Sequence, residues 1–141
     1  MSVADSPTSI GTFRCILGIT IGSIGVAFAI LVCYRVATFP FLAAENLVLV
    51  RDRYWPGTIP TLPRGAIPGH LGLLYLEVGL FPVFGITVCV ALAAICIYVL
   101  RGRLAGWILG ISGVAIAVAS WPLGHWALRI VMAKYHLVDV G

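Results

Sequence analysis

Apolar residues run along this chain in three long blocks separated by short polar breaks. Cys15 to Tyr34 is free of charged residues over 20 positions, Val78 to Leu100 is free of them, and Leu104 to Leu128 has none apart from a charge that His125 would carry when protonated. A bilayer core about 30 Å thick is crossed by roughly 20 helical residues. The pattern therefore predicts an all-α integral membrane protein with three transmembrane helices at about 13–36, 71–100 and 104–133. The second and third blocks meet at Arg101-Gly102-Arg103, and two spans joined by three residues can only fold back as an antiparallel hairpin, here placed at 71–134.

The breaks define the rest of the organisation. Residues 1–12 read as a polar, mobile N-terminal tail and residues 135–141 as a short C-terminal one. Phe39-Pro40-Phe41 interrupts the first block. The apolar stretch 43–50 beyond it is too short to cross, and suits either a brief interfacial helix or a continuation of the first span past a kink at Pro40. Arg51 to Gly69 holds prolines at 56, 60, 63 and 68 and reads as an extended extramembrane strap, so that 37–70 forms an interfacial segment plus Pro-rich loop. Tyr54 and Trp55, beside Arg51, Asp52 and Arg53, have the look of an interfacial anchor. The first block is longer than a signal-peptide core and lacks a small-residue cleavage site. Val32 occupies the place that a lipoprotein box gives to a small residue, so the block reads as a retained span.

Each block carries a stripe of small residues. Gly18, Gly22, Gly25 and Ala29, with Gly11 before them, fall on one face of the first helix. Gly106, Gly110, Gly113, Ala117, Ser120 and Gly124 do so on the third, and Gly85, Cys89, Ala93 and Cys96 make a shorter stripe on the second. In lipid, where apolar side chains gain nothing by leaving the solvent, such stripes let backbones approach and pack. Gly18–Ile30 and Gly106–Val118 match at three glycines and at Val26/Val114, Ala27/Ala115 and Ala29/Ala117. A shared packing requirement accounts for the match more simply than duplication, because it is confined to small and aliphatic residues.

Composition agrees with this. The chain is 61% hydrophobic and 10% charged with a mean hydropathy of +1.09, too little charge to clothe a soluble globule of 141 residues. The net charge of +4 comes from nine Lys and Arg against five acids, scattered rather than clustered, which argues against a nucleic-acid partner. By the positive-inside rule the Arg101/Arg103 turn and the N-terminus lie in the cytoplasm, leaving 37–70 and the C-terminus outside. Arg35, Arg51, Arg53 and Arg64 stand against that orientation. The preference for arginine over lysine suits a GC-rich bacterial genome and hence the bacterial inner membrane.

Candidate chemistry is sparse. Glu77, His125 and Arg129 are the ionisable residues in or near the hairpin spans. Counted from Gly102 they are 25, 23 and 27 residues away, so an antiparallel hairpin puts them at one depth within about 3 Å. Pro82 and Pro122 are each 20 residues from the same glycine, where kinks would open a polar site at the outer rim. Against a working site stands the ease with which charges snorkel at a membrane edge, and a helical wheel that puts Glu77 and Arg129 on opposite sides. His70 and His136 share a depth and are the only metal pair on offer, short of the ligand set a metal site needs. Of the histidines, His125 alone lies where an axial haem ligand would be wanted. Ser112 and His125 are 13 residues apart on one helix, too far for a dyad. The four cysteines show no CxxC and read as small buried side chains.

No catalytic set, cofactor or metal is predicted from this inventory. The expected role is a structural or accessory membrane subunit, packing through its glycine-rich helix faces against a larger respiratory, photosynthetic or transport complex, or against copies of itself. The alternative is a small oligomeric transporter or channel with an outer-rim polar site, and the third a haem- or pigment-binding protein.

Overall fold

A computed structural model describes the backbone of residues 7–54 and 68–134 and the side chains of 10–43 and 76–134. These residues form three helices: α1 (Pro7–Tyr54), α2 (Pro68–Val99) and α3 (Leu104–Lys134). Ile10–Ala43, Leu76–Val99 and Leu104–Lys134 are each long and apolar enough to cross a membrane. Proline is a natural first residue for α1 and α2, since its missing N–H would have had no helical acceptor.

α1 departs most from expectation. It begins within the stretch read as a mobile tail and continues through Pro40 to Tyr54, so there is no separate interfacial helix over 43–50. An interior proline removes one backbone hydrogen bond and crowds the preceding turn. Here the ring is buried to below 2% exposure, so neighbouring side chains hold it against any break. Two positions earlier, the Thr38 hydroxyl donates to the Tyr34 carbonyl at 2.8 Å, a local back-bond that accompanies helix bending. Of the Pro-rich stretch, Arg51–Tyr54 close α1 and Pro68–Gly69 open α2. Its remainder, Trp55 and the tail 135–141 lie outside the described residues.

The turn between α2 and α3 is as short as the sequence demands. The Arg103 N–H donates to the Leu100 carbonyl at 2.9 Å, and Gly102 has φ +82°. That is the value a type II turn takes at its third position, where a side chain would be strained.

The chain divides into two compact units, residues 1–31 with 85–118 and residues 32–84 with 119–141. In the first, backbones approach closely. Ala29, Cys89 and Ala117 form a core at 0–1% exposure, with Phe28, Ile86 and Ile116 packed on it. A methyl group placed on Gly22 would lie 2.8 Å from Cys96 Sγ and 2.9 Å from Leu109 Cβ, and one on Gly113 would lie 3.6 Å from the Gly25 backbone. Gly18 is filled by Leu100, Gly25 by Leu92 and Gly110 by Ala93 and Ile97. With α1 and α2 pressed together, thiols reach across: Cys96 Sγ donates to the Gly18 carbonyl at 3.3 Å and Cys89 Sγ to that of Gly25 at 3.8 Å. Gly11 belongs to the stripe by spacing only, for it is exposed with nothing within 4 Å of where its side chain would be.

The second unit is built differently. Val78 and Leu128 form its core, with Phe39, Ala43 and Met132 against them. All three prolines inside helices, Pro40, Pro82 and Pro122, fall in this unit. Large apolar side chains elsewhere point outward, among them Phe84, Tyr98, Trp107 and Trp126, each at least 53% exposed.

Candidate functional site

The second unit holds an ion pair whose cation is not one of the predicted trio. Glu77, on α2, is half-buried, and its Oε1 accepts from Arg35 Nη2 of α1 at 3.4 Å. Arg35 also lies over the Phe39 ring, with its guanidinium carbon 4.5 Å from the centroid, a favourable cation–π distance. The two side chains keep 43% and 38% of their surface exposed, so the pair is partly desolvated rather than buried.

His125 and Arg129 do not join it. His125 is exposed and sits against Trp121, ring centroids 5.5 Å apart and planes tilted by 56°. Arg129 is exposed and makes no ion pair among the described residues. Tyr54 is the last residue of α1, His70 lies in the first turn of α2, and the side chains of both are outside the described residues, as are Trp55 and His136. Gly18, Gly22, Gly25, Gly106, Gly110 and Gly113 are all buried against helices of the same chain.

A repeated hexapeptide marks the pair. Arg35-Val36-Ala37-Thr38-Phe39-Pro40 on α1 and Glu77-Val78-Gly79-Leu80-Phe81-Pro82 on α2 share the order charge, valine, two variable residues, phenylalanine, proline. Arg35, Val36, Phe39, Glu77, Val78 and Phe81, the first, second and fifth positions of both copies, line one crevice of about 10 Å³. That is room for about one water. The two prolines deprive the Val36 and Val78 carbonyls of their usual helical donors, so acceptors and charges gather at the same level of both helices. Nothing in the sequence other than this repeat would have drawn Arg35 to Glu77.

Chemically, the arrangement can hold one carboxylate and one guanidinium together in a partly desolvated setting. It offers no nucleophile with an adjacent base, and among the described residues no three metal-ligating side chains cluster. Polar groups in the apolar segments are satisfied locally, as where the Thr20 hydroxyl donates to the Ile16 carbonyl at 2.8 Å. No family model, curated protein or solved structure matches this chain, and the reading of its function therefore comes from its own geometry.

Proposed function

We propose that the chain is a three-span integral membrane protein of the bacterial inner membrane and serves there as a non-enzymatic accessory subunit of a larger membrane complex. In this reading the N-terminus and the 101–103 turn face the cytoplasm, and the Pro-rich segment and the C-terminus face outward. The observation that carries it is the division of labour among apolar residues. The stripe glycines Gly18, Gly22, Gly25, Gly106, Gly110 and Gly113 are used up on contacts within the chain, whereas only 28% of the most apolar window of each helix is buried inside it. A surface of that kind requires lipid or another membrane protein as its surroundings. Trp107, Trp121 and Trp126, all on α3 and 41–60% exposed, supply large rigid rings of the kind enriched at protein contacts. On this reading exposed aromatic rings contact the partner, and the glycine stripes serve the chain's own packing.

Purification in a mild detergent should bring down a stoichiometric larger partner, and recovery of the chain as an isolated monomer would remove the subunit reading. Single introduced cysteines at 101 and 129 should label from opposite sides of the membrane. Labelling from one side would remove the topology.

The Arg35–Glu77 pair favours a second reading, a small oligomeric transporter or channel. Under it, Glu77→Gln abolishes ion flux in reconstituted vesicles with assembly intact, and unchanged flux eliminates it.

A further inference from the structure

The first unit contains a partly open groove of about 470 Å³, lined by Ile10, Gly11, Phe13, Arg14, Cys15 and Leu17 from α1 and by Tyr98, Val99, Leu100, Arg101 and Arg103 from the end of α2 and the turn. That volume lies in the range of small-ligand sites. Its chemistry is divided. Arg14, Arg101 and Arg103 supply three permanent positive charges, and Phe13, Leu17, Val99 and Leu100 supply an apolar wall.

Among the described residues no carboxylate pairs with those charges. The chain has no acid between Asp5 and Glu45 or between Glu77 and Asp139, and among the described residues the partner of these guanidiniums is a cysteine sulfur, Cys15 Sγ, 3.2 Å from Arg103 Nη1. Gly11 leaves its side of the groove open, with nothing within 4 Å of a side-chain position. Three cations without a carboxylate partner among the described residues, next to exposed rings such as Phe13 at 66% and Tyr98 at 76%, suit an anion that is itself attached to something apolar. A soluble anion satisfies the arginines but leaves the apolar wall uncovered, whereas a phospholipid with a net negative headgroup satisfies both.

We infer that this groove is a binding site for an anionic phospholipid, with its phosphate held among Arg14, Arg101 and Arg103 and the upper part of its acyl chains lying on Phe13 and Leu17. The inference rests on the membrane reading above, and its test separates the two. The full chain, purified in a mild detergent, is titrated with phosphatidylglycerol, phosphatidylcholine and inorganic phosphate while thermal unfolding is followed. Phosphatidylglycerol should raise the unfolding midpoint, and the other two should leave it unchanged.

Each arginine near a headgroup contributes about a fivefold gain in affinity. The variant Arg101→Gln with Arg103→Gln should then bind phosphatidylglycerol about 25-fold more weakly. The variant Arg101→Lys with Arg103→Lys retains the charge and should stay within about fivefold of the unmodified protein. Equal response to phosphatidylcholine, or an unaltered response in the glutamine variant, overturns the site. A response to inorganic phosphate as large as that to the lipid shows a soluble-anion site and overturns the lipid assignment. Alkaline extraction of cell membranes is the independent arm. Release of the chain into the soluble fraction removes the membrane reading itself, whereas retention together with lost lipid selectivity removes only the groove.

Discussion

The two compact units of this chain solve the same packing problem with different residues. In the first, helices approach through glycine, alanine and cysteine until a methyl group at Gly22 would come within 2.9 Å of two neighbouring side chains. In the second, the branched side chains of Val32, Val36, Val78, Leu128 and Val131 are buried beside Ser120, Gly124 and Ala127, with prolines and an ion pair in the same unit. Small residues gain close backbone contact and forgo bulk, and any added atom is felt. Branched side chains and prolines leave irregular space, which a charged pair and a crevice can occupy. The difference teaches that tolerance to substitution is set by what each glycine faces, because close-packed and open glycines occur in both units: a methyl on Gly124 in the second would collide with Val36, whereas one on Gly25 in the first would meet Leu92 at an ordinary 3.5 Å.

A large effect is expected at Gly22. Gly22→Ala should lower unfolding free energy in detergent by about 1–3 kcal/mol through overpacking, while Gly25→Ala, whose methyl would meet Leu92 at an ordinary 3.5 Å, should change little. Equal responses at the two positions would break the close-contact account of the first unit. Next comes Gly102→Ala in the hairpin turn, expected to cost about 1–2 kcal/mol because the left-handed backbone strains any side chain. An unchanged midpoint would mean that the turn relaxes to another geometry.

In the second unit, a double-mutant cycle with Arg35→Gln and Glu77→Gln should give a coupling of up to about 1 kcal/mol, as suits a pair that keeps much of its surface exposed. A coupling of several kcal/mol would sharpen the contrast by showing that its surroundings exclude water. The smallest effect is of opposite sign: Gly79→Ala should stabilise by about 0.5–1 kcal/mol, since nothing lies within 4 Å to collide with the methyl and alanine is the better helix former. Destabilisation there would show that the space beside Gly79 is not open.

Much of the fold was legible in the residues and much of the site was not. Uninterrupted apolar blocks and three-to-four-residue spacing of small side chains are local signals, and they correspond to the three helices and to the buried faces of Gly18–Ala29 and Gly106–Gly124. Gly18–Ile30 and Gly106–Val118, similar in sequence, also bury nearly the same positions. Pro40 leaves two readings open, a separate interfacial helix or a first span continued past it, and α1 takes the second; the burial that holds the proline there depends on side chains distant in sequence. Glu77 was grouped with His125 and Arg129 by counting depth along one hairpin, a measure that cannot see α1. Arg35 was counted only as a charge bearing on orientation, yet it heads one copy of the charge-valine-phenylalanine-proline repeat and faces the head of the other.

That facing has a consequence for which helices can associate. The two similar hexapeptides that line this crevice agree at valine, phenylalanine and proline, but identity at their first position would set arginine against arginine, or glutamate against glutamate, within a few ångströms. The sign change between the copies turns repulsion into attraction and at the same time penalises either helix for meeting its own likeness along this face. One divergent residue thereby makes the α1–α2 union heterotypic.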